Sequence, residues 1–154
     1  MFIFLISSLT YGFLEYGIHR FLHITKEKRH TTHHIQLKNS NDFISSFYKS
    51  FVLLGCILPF INKFMFFLWV QYVFYEFTHD LIHHLDKKFW NRQIIHYHMF
   101  HHYYKDWNVN YGVTTPFWDY MFGTMSKYHK YKVNFLIYFS WIPVLNLFNF
   151  LCFL

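Results

Sequence analysis

The chain has 154 residues and is 54% hydrophobic and 26% aromatic but only 14% charged, where ordinary soluble domains carry about a quarter charged residues. A single soluble unit of this size could not bury so many Phe, Tyr and Trp side chains, so composition points to lipid as the solvent. The net charge of +6 comes without a basic helix or an aromatic-basic platform, which argues against a nucleic-acid partner, and Cys56 and Cys152, both inside apolar runs, exclude a disulfide framework or a thiolate metal site.

In chain order, MFIFLISSLTYGFLEYGI (1–18) is long enough to cross a bilayer as a helix. It lacks a basic n-region and an A-x-A-like cleavage site, so it reads as a retained anchor. Residues 19–42 are polar and basic. Residues 43–82 hold about forty mostly apolar positions, interrupted near PFINK (59–63), enough for two crossings at about 1.5 Å per residue. These are expected as membrane helices at 43–60 and 61–82. Residues 83–132 are polar again, though rich in Trp and Tyr. The last segment, 133–154, is uncharged and long enough to span. Pro143 and two Asn also suit it to a kinked or interfacial helix.

Two crossings between two polar segments bring both segments out on one side of the membrane. Of 14 Lys and Arg, 12 lie in those segments, and the positive-inside rule assigns that side to the cytosol. The expected fold is therefore all-α, a membrane helical bundle with its polar segments facing the cytosol.

Those segments and their borders carry nearly all of the 13 histidines, ten of them in four spaced groups. His19 and His23 stand at i, i+4. His30, His33 and His34 follow as H-x-x-H-H. His79 and His83 repeat the pair, and His98, His101 and His102 repeat the triplet. On a helix such spacings share a face, so each group can aim its imidazoles at one point. Four groups in this order are not incidental.

Ten such nitrogens can serve two metal ions with about five ligands each. Structural zinc usually takes four ligands, often with Cys. An all-nitrogen set suits Fe, Cu, Ni or Zn, and composition alone does not choose among them. Glu15 and Glu76 precede His19 and His79 on the same helical faces. A carboxylate there can accept the second N–H of a ligating imidazole and fix its tautomer, or enter the metal's own ligand set. The alternative is a charge at a membrane end, Glu15 pairing with Arg20.

The order H-x-x-x-H, H-x-x-H-H, H-x-x-x-H, H-x-x-H-H resembles that of the integral-membrane fatty acid hydroxylase/sterol desaturase superfamily. EYGIHRFLH (15–23) resembles its first His box. NYGVTTPFWDYMFGT (110–124) resembles its usual ending of Asn-aromatic-Gly, Asp-aromatic and Phe-Gly-Thr. The likeness covers about residues 11–125 and implies one fatty acid hydroxylase-like membrane domain over 1–154. It implies a cytosolic dimetal centre, two Fe in the active oxygenase with Zn able to substitute in purified protein. The ligands so implied are His19, His23, His30, His33, His34, His79, His83, His98, His101 and His102, with Glu15, Glu76, Asp119 and His96 close behind them. No catalytic residue beyond the metal centre is implied.

The activity implied is O2-dependent hydroxylation of a C–H bond in a fatty-acyl or sphingolipid-type chain. Sterol desaturation, sterol methyl oxidation or carotenoid hydroxylation within the same superfamily is the alternative, HDLIHH (79–84) being similar to the carotenoid enzymes. A non-catalytic membrane metal-binding protein is the alternative of another class, although 43–75 offer almost none of the polar residues that transport needs. Lipid hydroxylases of this superfamily often carry a fused b-type cytochrome, and none is seen here. A separate donor, a b-type cytochrome or a ferredoxin with its reductase, is therefore expected. In a eukaryotic cell the location implied is the endoplasmic reticulum membrane. Trp107, Tyr111, Phe117, Trp118 and Tyr120 are expected to line an acyl channel or form an interfacial belt. His84 and His129 read as surface residues, and His96, about 200° round a helix from His98, points away from its triplet.

Overall fold

Residues 2–36, 55, 57–84, 93–103 and 107–130 are described by a computed structural model. All regular structure among them is helical: α1 (Phe2–Ile24), α2 (Lys28–Gln36), α3 (Lys63–His84), α4 (Gln93–Tyr103), α5 (Phe117–Phe122) and α6 (Lys127–Lys130). The expected segment 133–154 lies outside the described residues, as does most of the expected helix 43–60.

Helix α1 runs past the expected limit at residue 18 to Ile24, which places His19 and His23 in its last turns. It ends where Lys26 turns left-handed at φ 51°. There the N–H of Lys26 donates to the His23 carbonyl and that of Glu27 to the Leu22 carbonyl, satisfying two carbonyls that the helix end leaves free. The carboxylate of Glu27 then caps α2 by accepting the His30 N–H at 2.7 Å. The connection between the helices is thus only three residues long, Thr25 to Glu27, which folds the first triplet back onto the first pair. Helix α3 starts where the expected interruption falls: Asn62 Oδ1 accepts the N–H groups of Phe64 and Met65.

Helices α1 and α3 pack in parallel, Phe4 against Phe67, Ser7 bonded to Gln71 and Tyr11 against Tyr75. Their His-bearing C-terminal ends therefore lie at the same end of the pair. Besides those aromatic contacts the two helices bury small or polar side chains, Ser7, Ser8, Gln71 and Thr78 among them. Large apolar side chains turn outward, among them Ile6, Leu9, Phe13, Leu14 and Ile18 of α1 and Met65 and Phe77 of α3. No helix among the described residues is long and apolar enough to cross a membrane, so the crossings expected at 1–18 and 61–82 remain an expectation. The buried polar positions within α1 and α3 dilute their apolar character. Beyond the helix pair, Ile82, Ile95, Met99 and Val113 form a small core joining α3, α4 and the loop at 107–116.

Candidate metal centre

Ten imidazoles meet where the ends of α1 and α3 face α2, α4 and the 107–116 loop. They form two groups. In the first, ring nitrogens of His19, His23, His30 and His34 all lie within 4.8 Å of one another, and His101 Nε2 is 3.0 Å from His23 Nε2. In the second, His33, His79, His83 and His102 meet the same criterion, with His98 Nε2 at 3.2 Å from His83 Nε2 and 3.1 Å from His102 Nε2. Stacked rings of His34 and His102, 4.1 Å apart, join the two.

Each triplet is divided between the groups. His30 and His34 serve the first while His33 serves the second; His98 and His102 serve the second while His101 serves the first. Helical geometry explains this. Residues at i and i+4 differ by about 40°, but adjacent residues by about 100°, so His33 and His34 diverge to either side of the direction of His30. The i, i+4 pairs stay together and the i+3 residue crosses over.

The donor set fits metal ions. Nε2 atoms sit 2.8 to 3.2 Å apart along His19–His23–His30–His34, and ligands on one ion with metal–nitrogen bonds of about 2.1 Å lie about 3 Å apart. His33 Nε2 is buried without a hydrogen-bond partner among the described residues, as a nitrogen awaiting an ion would be. Burial also keeps the rings neutral. It pushes His23 down to about 4 and His30, His83 and His101 to about 3. His19, His34, His98 and His102 are also lowered, by burial first and then by neighbouring imidazoles. At neutral pH all keep a free lone pair, which metal binding requires.

Behind the first group lies a loop built around one residue. Asn110 adopts φ 59°, a left-handed conformation that Asn tolerates. The carbonyls on either side of it each accept an Nδ1–H: Val109 from His101 at 2.7 Å and Tyr111 from His19 at 2.5 Å. A carbonyl can only accept, so both rings carry their proton on Nδ1 and present a bare Nε2 to the group.

Two buried carboxylates hold this loop. Glu15 does not accept an imidazole N–H or pair with Arg20. Its oxygens take the N–H groups of Val113 and Thr114, at 2.6 and 2.9 Å, and the Thr114 hydroxyl. Asp119 accepts the N–H of Tyr111 at 2.9 Å, that of Gly112 at 2.7 Å and the Thr124 hydroxyl at 2.7 Å. Burial raises the Asp119 carboxyl pKa, an effect that these bonds oppose. Gly112 is required there, since a Cβ would lie 2.0 Å from the Thr115 carbonyl oxygen. Glu76 instead takes a hydrogen bond from Tyr72, one turn back on its own helix.

Two expectations change. His129, read as a surface residue, is buried, and His96 is bonded to it at 2.9 Å. His84 is exposed and bonded to the Asp80 carbonyl. The aromatic stretch does not form one lining: Trp107 lies over His34 and His23, Tyr111 beside His19 and His101, and Trp118 against Phe13. A cavity of about 430 Å³ lies against the first group, lined by His23, Lys26, Thr31, Trp107 and Asn108.

Comparison with known proteins follows the same residues. A ceramide very long chain fatty acid hydroxylase of Saccharomyces cerevisiae is 28% identical over 148 residues, covering 80% of this chain and 38% of that protein. The enzyme of the same name from Schizosaccharomyces pombe is 43% identical over 61 residues, 34% of this chain and 15% of that protein. The chain thus spans well under half the length of either relative. No solved structure matches it. The sequence matches the fatty acid hydroxylase family over residues 4–124, which contain all ten converging histidines and both loop-holding carboxylates, and the chain belongs to that family.

Proposed function

We propose that this protein hydroxylates an unactivated C–H bond in the acyl chain of a ceramide-like or fatty-acyl lipid, using O2 and two iron ions held by the ten histidines. The observation that carries this reading is the convergence of ten neutral imidazoles into two groups, with no thiolate and no carboxylate in either among the described residues. A hydrocarbon C–H bond offers no handle for acid–base attack, and iron in such a centre supplies the oxygen-activating redox chemistry it needs. Zinc can take the same nitrogens in purified protein.

The chain's own contribution is positional. The Val109 and Tyr111 carbonyls orient His101 and His19, while Glu15 and Asp119 hold those carbonyls in place. Trp107 shields His23 and His34 from water. The outward apolar side chains of α1 and α3 dissolve in the bilayer, and small or polar side chains between the helices are buried. An acyl chain in the adjoining leaflet therefore lies beside the centre. The excess of Lys and Arg around the His-bearing segments assigns this end to the cytosol, where a b-type cytochrome or a ferredoxin delivers electrons. In a eukaryotic cell the membrane is that of the endoplasmic reticulum.

Lipid profiling of cells expressing the wild type or a His101→Ala, His102→Ala variant tests the activity. A hydroxylated lipid present with the wild type alone is expected. Identical profiles with an electron donor co-expressed would overturn the enzymatic reading. Metal analysis of the purified protein should give two ions per chain.

A further inference from the structure

His129 lies outside the four His groups and past residue 124, where the family match ends, yet only 8% of it is exposed. Its Nδ1 is 2.7 Å from the Ser126 hydroxyl and 3.1 Å from the Asn110 amide nitrogen. An amide NH2 can only donate, so Nδ1 is the bare nitrogen and the proton sits on Nε2. That Nε2–H donates to His96 Nδ1 at 2.9 Å. Hydrogen bonds on both ring nitrogens thus hold His129 in a single tautomer, and the rings of Tyr97, Phe100 and Tyr128 pack around it.

The Asn110 side chain is held on its other side as well. Its Oδ1 accepts the Ser126 N–H at 2.9 Å, and its Nδ2 also reaches the Tyr97 carbonyl at 3.3 Å. This side chain fixes the left-handed turn whose flanking carbonyls orient His101 and His19, both in the first group. No main-chain carbonyl is seen on Nδ1 of His83, His98 and His102 in the second group, all three buried without a partner among the described residues, as is Nδ1 of His34 in the first.

We propose that His129 is a positioning residue for the first metal-binding group, acting through Asn110, so that it sets the hold on one of the two ions and not on the other. The inference rests on the dimetal reading above. Removing an outer hydrogen-bond partner of a metal-ligating His typically costs 10–100-fold in metal affinity. His129 is one bond further out, which puts its effect near the lower end.

The test strips the purified full-length chain with a chelator and titrates it with Zn²⁺ against a competing indicator, resolving the affinity of each ion. His129→Leu should weaken one ion about tenfold and leave the other unchanged. His129→Asn, which keeps an acceptor near the position of Nδ1, should restore the wild-type hold. In a His102→Ala background, with the second group impaired, His129→Leu should weaken the remaining ion; in a His101→Ala background it should not. Equal weakening of both ions, no weakening, or no rescue by Asn would overturn the proposal. Ser126→Ala removes the hydroxyl that bonds Nδ1 and that accepts the His129 N–H at 3.4 Å, and keeps the imidazole itself. It should weaken the same ion to a smaller extent, and it carries the test if His129→Leu folds poorly. A wild-type chain that holds fewer than two ions would overturn the dimetal reading itself, before any His129 variant is compared.

Discussion

At the residue level, Asp119 shows how the centre depends on groups that never touch it. Its carboxylate accepts three donors, two of them backbone N–H groups in the loop. In Asp119→Asn, an NH2 group faces a donor it cannot bond, and a buried unsatisfied group costs about 1 to 3 kcal/mol, more when a charge is involved. Chemical denaturation of the purified variant should show a loss of about 2 to 3 kcal/mol, with weaker metal retention as the Tyr111 carbonyl shifts. The histidines give a second prediction. Their folded-state pKa values are depressed, to about 4 for His23 and about 3 for His30, His83 and His101, against about 6.5 in the unfolded chain. Above pH 6.5 both states are neutral and the metal-free fold keeps its full stability. Below that the unfolded chain takes up protons that the folded one refuses, so stability falls as pH drops from about 6.5 toward 3 to 4. Denaturant midpoints of the metal-free protein measured across that range should decline with falling pH. A flat profile would contradict the burial of these rings.

At the level of elements, the loop around Asn110 is the most demanding segment. A Cβ at Gly112 would meet the Thr115 carbonyl oxygen, a backbone atom that cannot swing aside. Gly112→Ala should destabilise the protein by at least the 1 to 3 kcal/mol typical of overpacking, visible as a lower thermal midpoint and faster metal loss. Much of the surrounding architecture was legible in the sequence. The i, i+4 pairs at the ends of α1 and α3 and the triplets on α2 and α4 follow directly from spacing, because helical periodicity is local. The partition of each triplet between two groups was not read out, although the 100° step between His33 and His34 contains it. The roles of Glu15 and His129 were out of reach in a different way. Glu15 bonds Val113 and Thr114 almost a hundred positions away, and no local pattern encodes such a pairing.

At the scale of the whole molecule, α1 and α3 invert the polarity of a water-soluble helix pair, with Ser7, Ser8 and Gln71 buried while Leu9, Phe13 and Leu14 face outward. Opposite substitutions should therefore have opposite signatures. Leu9→Lys on the outer face should lower the fraction of protein retained in membranes after an alkaline wash while leaving the fold intact. Ser8→Leu on the inner face should keep membrane retention but separate the helices, costing about 1 to 3 kcal/mol in detergent unfolding assays. Membrane retention unaffected by Leu9→Lys and by further charges at Leu14 and Ile18 would argue against lipid as the solvent of this face.

The carbonyls of Val109 and Tyr111 carry one last implication. A main-chain oxygen is present whatever side chain the residue bears, so the grip on His101 and His19 is indifferent to the identity of residues 109 and 111. Val109 can therefore vary without loosening the carbonyl that holds His101, whereas the Tyr111 ring also packs beside His19 and His101. Such variation is closed to Asn110, Gly112, Glu15 and Asp119, which fix where the backbone runs. Freedom and constraint thus sit side by side in one short loop, the carbonyl at 109 tolerant of any side chain and its neighbours at 110 and 112 not.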